Sequence, residues 1–130
     1  MSAEPVAVVD TWAALAFLRR EGSADTTMRR YLRRASNGNV RLMMNLLNLG
    51  ETYYRMIQLA GADAADERLS SFRQLPIEMV PVREPLAMEI AFADAFAVAT
   101  ARLERATLLT GDPEILALPR DVVRTVRLER

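Results

Sequence analysis

Apolar residues fall along this chain in two alternating patterns. Val6-Ala7-Val8-Val9 is a short continuous run rich in β-branched side chains, the signature of a strand buried on both faces, and it stops abruptly at Asp10. Trp12, Leu15 and Ala16 then recur at helical spacing, with Phe17 and Leu18 widening the stripe, until Arg19-Arg20-Glu21-Gly22 closes the helix. A second helix, capped by Ser23 or Asp25, is predicted through Tyr31 and Leu32 and ends at Ser36-Asn37-Gly38-Asn39. Val40 to Met44 is a second strand-like run, and Asn45 to Ala60 reads as a helix with Leu46, Leu49, Tyr53 or Tyr54, and Ile57 inward. After Gly61, a short helix around Glu67 to Gln74 leads to a third run, Ile77 to Val82, which Pro81 assigns to the edge of a sheet. Pro85 suits the first turn of a further helix, and Phe92 to Leu103 is Ala-rich and helical. Thr107 to Thr110 is a fourth strand and Thr125 to Leu128 a fifth. Strands alternating with helices imply βαβ units with right-handed crossovers. The expected fold class is thus α/β: a three-layer α/β/α sandwich with a mostly parallel four- or five-stranded sheet, forming one domain over residues 1–130.

Composition changes the picture mainly through what is missing. The chain has seventeen basic and seventeen acidic residues, and every basic one is Arg; there is no Lys, His or Cys. That excludes Ser-His-Asp and Cys-His nucleophile pairs, thiolate or imidazole zinc sites, disulfides, Schiff bases and the P-loop lysine. Tyr aside, acid, base or metal chemistry is left to Asp and Glu. The formal net charge of +0 argues against a general polyanion binder. The chain opens Met-Ser-Ala-Glu-Pro, with an acid where a signal peptide wants positive charge, and no apolar run approaches the ~20 residues that cross a bilayer, so a cytoplasmic protein without membrane contact is expected.

In an open parallel sheet all strands end on one side, and residues just after them converge on one crevice. Asp10 follows the first strand, Asp112 the fourth, and Glu51 lies about two turns into the helix after the second. Asp94 opens the Ala-rich helix that runs back into the fourth strand. Carboxylates gathered so closely repel one another unless a cation sits between them, and an all-oxygen donor set suits a hard ion, Mg²⁺ or Mn²⁺. Such an ion supports phosphodiester hydrolysis without a protein nucleophile. Each acid also has a plain structural reading: Asp10 as a helix cap, Asp112 as a turn residue before Pro113, Glu51 as the i,i+4 partner of Arg55, and Asp94 as an acid at a helix start. Their joint placement favours a shared site.

Val8-Val9-Asp10-Thr11, Asn48-Leu49-Gly50-Glu51-Thr52-Tyr53-Tyr54, Ala93-Asp94-Ala95-Phe96-Ala97 and Thr110-Gly111-Asp112-Pro113-Glu114 together resemble the PIN-domain ribonucleases, specifically VapC-like toxins, over nearly the whole chain. The resemblance implies that Asp10, Glu51, Asp94 and Asp112 form the metal-binding quartet of a Mg²⁺- or Mn²⁺-dependent endoribonuclease, with Thr11 and Thr110 as supporting hydroxyls. It also implies an RNA substrate, a small antitoxin that blocks the site, and a homodimer. One departure is visible: the segment between the third strand and Asp94 is several residues shorter than the family usually carries, which leaves a PIN-like interaction module with impaired catalysis as the alternative. A phosphoacceptor receiver domain fails for want of a site lysine. A haloacid-dehalogenase-like phosphatase fails because Asp10 is followed by Thr11-Trp12 without a second Asp. Arg29, Arg30, Arg33 and Arg34, with Arg19 and Arg20 before them, offer guanidinium groups for phosphates or a solvated helix face. Tyr53 and Tyr54 offer stacking surfaces or packing, Met43 and Met44 gap-filling, and Glu89 and Glu114 are further acids.

Overall fold

A computed structural model describes residues 5–81, 97, 98, 100–102 and 104–129. Its sheet has five strands in the order β3-β2-β1-β4-β5: β1 (Val6–Val9), β2 (Arg41–Asn45), β3 (Ile77–Val80), β4 (Thr107–Thr110) and β5 (Arg124–Arg127). All four pairings are parallel, with Val8 level with Met43 on one side and with Leu108 on the other. β3 sits at an edge, as Pro81 implied, and β1 is central.

Because side chains alternate along a strand, each buried strand feeds two cores. Ala7 and Val9, Leu42 and Met44, and Leu109 point into a core shared with α1 (Thr11–Leu18), α2 (Gly22–Ser36), α3 (Leu46–Ala60) and α4 (Ala62–Phe72). Val8, Met43 and Leu108 point the other way, against Ala97, Val98, Ala101, Ile115 and Val123. These two cores make the sandwich three-layered. They also explain the unbroken apolar runs: a strand covered on both faces has no position to spare for a polar side chain. The expected Ala-rich helix is present at residues 97, 98 and 100–102, whereas Pro85, Glu89 and Asp94 lie outside the described residues.

Several boundaries differ from expectation. α2 begins at Gly22 after Glu21, which makes no side-chain cap, and the Ser23 hydroxyl donates instead to the Glu129 carbonyl at 3.1 Å. α4 begins at Ala62, because Gly61 at φ 87° both ends α3 and starts α4, and the Ala-rich stretch that follows is intrinsically helical. A one-turn helix, α5 (Pro113–Leu116), stands where a turn was expected, and β5 begins one residue earlier than read.

The end of α1 carries a removable cost. Glu21 N–H donates to the Ala16 carbonyl (2.9 Å) and Arg20 N–H to that of Phe17 (3.1 Å), the paired bonds of a Schellman motif. The residue between cap and exit is Arg20 at φ 53°, a left-handed conformation that Gly adopts freely and a residue with a Cβ does not. Arg20→Gly is therefore expected to stabilise the domain by about 1 kcal/mol, read as a raised Tm in thermal unfolding; a lowered Tm would show that the Arg20 side chain contributes more than its backbone costs.

Candidate active site

Asp10 stands one residue beyond β1, with extended backbone (φ −95°, ψ 178°), and caps α1: its Oδ1 accepts the Ala13 N–H at 2.8 Å. The plain reading of Asp10 as a cap is thus correct, yet it does not account for the burial. A cap on a surface helix stays wet, whereas Asp10 is 1% exposed, and placing a carboxylate there costs several kcal/mol unless charge nearby compensates.

Asp112 lies two residues beyond the end of the neighbouring strand, β4. β1 and β4 run in register, Val9 beside Leu109, so both chains leave the sheet on the same edge. The Thr110 hydroxyl accepts the Asp112 N–H at 3.0 Å, and Asp112 Oδ1 in turn accepts the Glu114 N–H at 2.9 Å, capping α5. Its other oxygen makes no hydrogen bond among the described residues. Gly111, between the two, is dictated by packing: a Cβ there would sit 2.3 Å from Cη2 and Cζ2 of Trp12, the residue after next to Asp10. The indole thereby ties the loop of one acid to the loop of the other.

Glu51 is on α3, the helix that leaves β2 at the same edge. Its carboxylate points along the helix, with Oε1 3.8 Å from an Arg55 nitrogen. No three acids among the described residues stand close enough together to hold one ion. Asp10 and Asp112 are the pair that the sheet register brings to adjoining strand ends.

A neutral network braces this edge. Thr11 Oγ1 donates to the Asn48 carbonyl (3.3 Å) and accepts from Asn48 Nδ2 (3.1 Å), while the Thr52 hydroxyl donates to the same carbonyl at 2.7 Å. Asn45 caps α3 through Leu47 N–H (2.8 Å) and donates from Nδ2 to the Thr100 hydroxyl (3.3 Å). Asn45, Asn48, Thr52 and Thr100 are all buried. Asn48 and Thr52 belong to the block that carries the family resemblance, but sequence reasoning assigned a role to none of these four. The available signal was their spacing: Asn45, Asn48 and Thr52 fall at i, i+3 and i+7, a polar line on a helix face that otherwise reads as apolar.

The arginines of α2 are largely engaged locally. Arg29 pairs with Asp25 at 3.1 Å and stacks on Phe17 (5.1 Å), Arg34 lies over Tyr31 (5.1 Å), and Arg30 bonds the Thr27 hydroxyl. Met43 and Met44 are core residues. Tyr53 donates to Asp66 on α4, and this hydrogen bond raises its pKa above the ordinary tyrosine value. Tyr54 is 60% exposed.

The sequence of residues 7–121 matches the PIN domain. The chain belongs to the PIN-domain family. None of the curated proteins matches it significantly. Among solved structures, this PIN domain is similar in fold to VapBC2 from Rickettsia felis bound to a promoter DNA fragment (TM-score 0.74, 14% identity, 95% of this chain and 99% of that one). It is similar too to DNA-bound VapBC from Salmonella typhimurium (0.73, 12%, 95% and 98%) and to Mycobacterium tuberculosis VapC20, a Sarcin-Ricin loop cleaving toxin (0.64, 18%, 85% and 93%). The PIN family makes this chain's carboxylate edge the place to look for chemistry. Its donor set, oxygen only, fits a hard divalent cation, which needs few protein carboxylates because it retains water. No helix among the described residues is long and apolar enough to cross a membrane.

Proposed function

We propose that this PIN domain is an endoribonuclease that depends on Mg²⁺ or Mn²⁺ and is the toxin of a toxin–antitoxin pair. The observation that carries the reading is the burial of the Asp10 carboxylate at the strand edge it shares with Asp112, in a chain that has no Lys, His or Cys to serve instead. Asp10 and Asp112 would hold the ion, with Glu51 and Asp94 completing the site. Such an ion, when bound by these acids, would supply positive charge for the scissile phosphate and lower the pKa of a bound water. The chain's own part is positional: α1 and α5 fix the two carboxylates by their caps, the Thr11–Asn48–Thr52 network holds α3 against α1, and Thr110 sets the turn that presents Asp112. Swinging Glu51 off Arg55 costs little, because a solvent-exposed pair at 3.8 Å is weak.

A partner antitoxin fits the groove of about 600 Å³ where α1, α2 and α4 meet. Phe17, Leu18 and Phe72 line it together with Arg19, Arg20 and Arg68, which suits a peptide with one apolar and one acidic side. A second copy of the chain would fit the exposed apolar residues in the first part of α3, Leu46, Tyr53 and Tyr54.

Incubation of the purified protein with a mixed RNA pool is expected to give cleavage with Mg²⁺ and none with EDTA; equal cleavage in both would overturn metal dependence. A second reading, a PIN-like interaction module that no longer cleaves, rests on the segment between the third strand and Asp94, which is several residues shorter than the family usually carries. The two readings separate on a Mn²⁺ soak: an anomalous peak at the acids supports the nuclease, and no peak with no cleavage supports the module.

A further inference from the structure

At the amino edge of the sheet, across the strands from Asp10 and Asp112, the turns entering β4 and β5 border an open pocket of about 350 Å³. Arg102, Arg105, Arg120 and Arg124 line it with a single acid, Asp121. A surface arginine is commonly matched by a carboxylate, but among the described residues none of these four has one within 4.0 Å. Two are anchored to main chain instead: Arg102 Nη1 donates to the carbonyls of Val122 (2.7 Å) and Asp121 (3.3 Å), and Arg124 Nη2 to that of Arg105 (3.5 Å). A carbonyl holds a guanidinium in place without neutralising it, so charge and remaining donors are left for an anion.

Arg105 adds a second observation. It ends the preceding helix at φ 51°, with Ala106 N–H donating to the Ala101 carbonyl (2.8 Å) and Arg105 N–H to that of Arg102 (3.2 Å). Glycine would occupy this position without strain, yet the chain places a cation there, on the wall of the pocket.

We propose that this pocket binds a phosphate group, borne by a free nucleotide or by an RNA strand that passes the edge of the sheet. Guanidinium groups from two separate turns suit a tetrahedral anion with three or four oxygens better than a planar carboxylate with two. The volume lies near the lower end of small-ligand sites, about 300 Å³ and upward, room for a phosphate and its sugar.

Two titrations test this, both in EDTA so that cleavage plays no part and the outcome is independent of the nuclease reading. Inorganic phosphate and AMP, added to ¹⁵N-labelled protein, are expected to shift the side-chain N–H signals of Arg102, Arg105 and Arg124 at millimolar concentration or below. A labelled single-stranded oligoribonucleotide is expected to bind the double variant Arg105→Gly, Arg124→Gln roughly tenfold more weakly than wild type if the phosphate comes from RNA. Its log K against log salt should then be shallower by about 1.4, the share of two phosphate contacts at ~0.7 each. Loss of AMP binding with unchanged oligonucleotide binding assigns the site to free nucleotides. Arg105→Gly relieves strain, so the variant is expected to fold; its Tm checks this directly. Unmoved arginine signals together with unchanged oligonucleotide affinity, or equally tight binding of polyglutamate, would overturn the proposal.

Discussion

Asp10→Asn is expected to abolish metal-dependent RNA cleavage, by more than about 100-fold, while the domain stays folded. Loss of a ligand should exceed the ~10–100-fold cost of removing a group that merely orients one. The substitution separates the two roles of this side chain. Asparagine keeps the Oδ1 acceptor that takes the Ala13 N–H, and it is as good an N-cap as aspartate, so α1 keeps its first turn. What disappears is the negative charge of a side chain that is 1% exposed. Asp10→Ala removes the cap as well and should cost about 1 kcal/mol more in thermal unfolding. A readout besides activity follows from mass action: Mn²⁺ should raise the Tm of the wild type as its concentration passes Kd and leave Asp10→Asn where it is. Full cleavage by the Asn variant would sink the assignment of Asp10, and a Tm response equal to that of wild type would move the ion elsewhere.

Gly111→Ala is expected to destabilise the domain by about 2 kcal/mol, some 8 °C in Tm, the range for forcing an extra methyl into packed structure. The added Cβ would lie 2.3 Å from the Trp12 ring, far inside contact distance, and the indole cannot bend away; it must rotate as a whole or push the Asp112 turn outward. Cleavage should fall with stability, since Asp112 and Trp12 move together. The decisive measurement is the double variant. With Trp12→Leu in the background, Gly111→Ala should cost a few tenths of a kcal/mol, a coupling that additive, independent sites do not show. An undiminished cost there would place the clash with something other than the indole.

How much of this was legible in the sequence differs by residue. The strands of a sheet covered on both faces announce themselves as unbroken apolar runs, and Pro81 correctly assigned β3 to an edge, so the parallel architecture could be read directly. The placement of Asp10 and Asp112 follows from that architecture alone. The details that escaped depend on contacts between segments distant in the chain. Gly111 looked like a turn glycine, because nothing local says that the Trp12 ring lies over it. Asn48 had no structural role legible in the sequence, because its partner Thr11 is 37 positions away. Ser23 looked like a cap because the competing acceptor, the Glu129 carbonyl, comes from the far end of the chain. Glu51 is the i,i+4 partner of Arg55 that its spacing implied, on the helix that leaves β2.

The central position of β1 has a consequence for how the protein comes into being. β1 is the first strand made, and β2 joins it early, but its other neighbour, β4, is synthesised only after some four-fifths of these 130 residues. Until then Asp10 has no Asp112 beside it and β1 has an open flank. A nascent chain on the ribosome therefore carries half of the carboxylate edge, and the site closes only with the β1–β4 pairing, which spans the greatest sequence separation in the sheet and is the slow kind of contact in folding. For a protein proposed to cut RNA, that order of assembly would keep it inert beside the very RNA that is being read to make it.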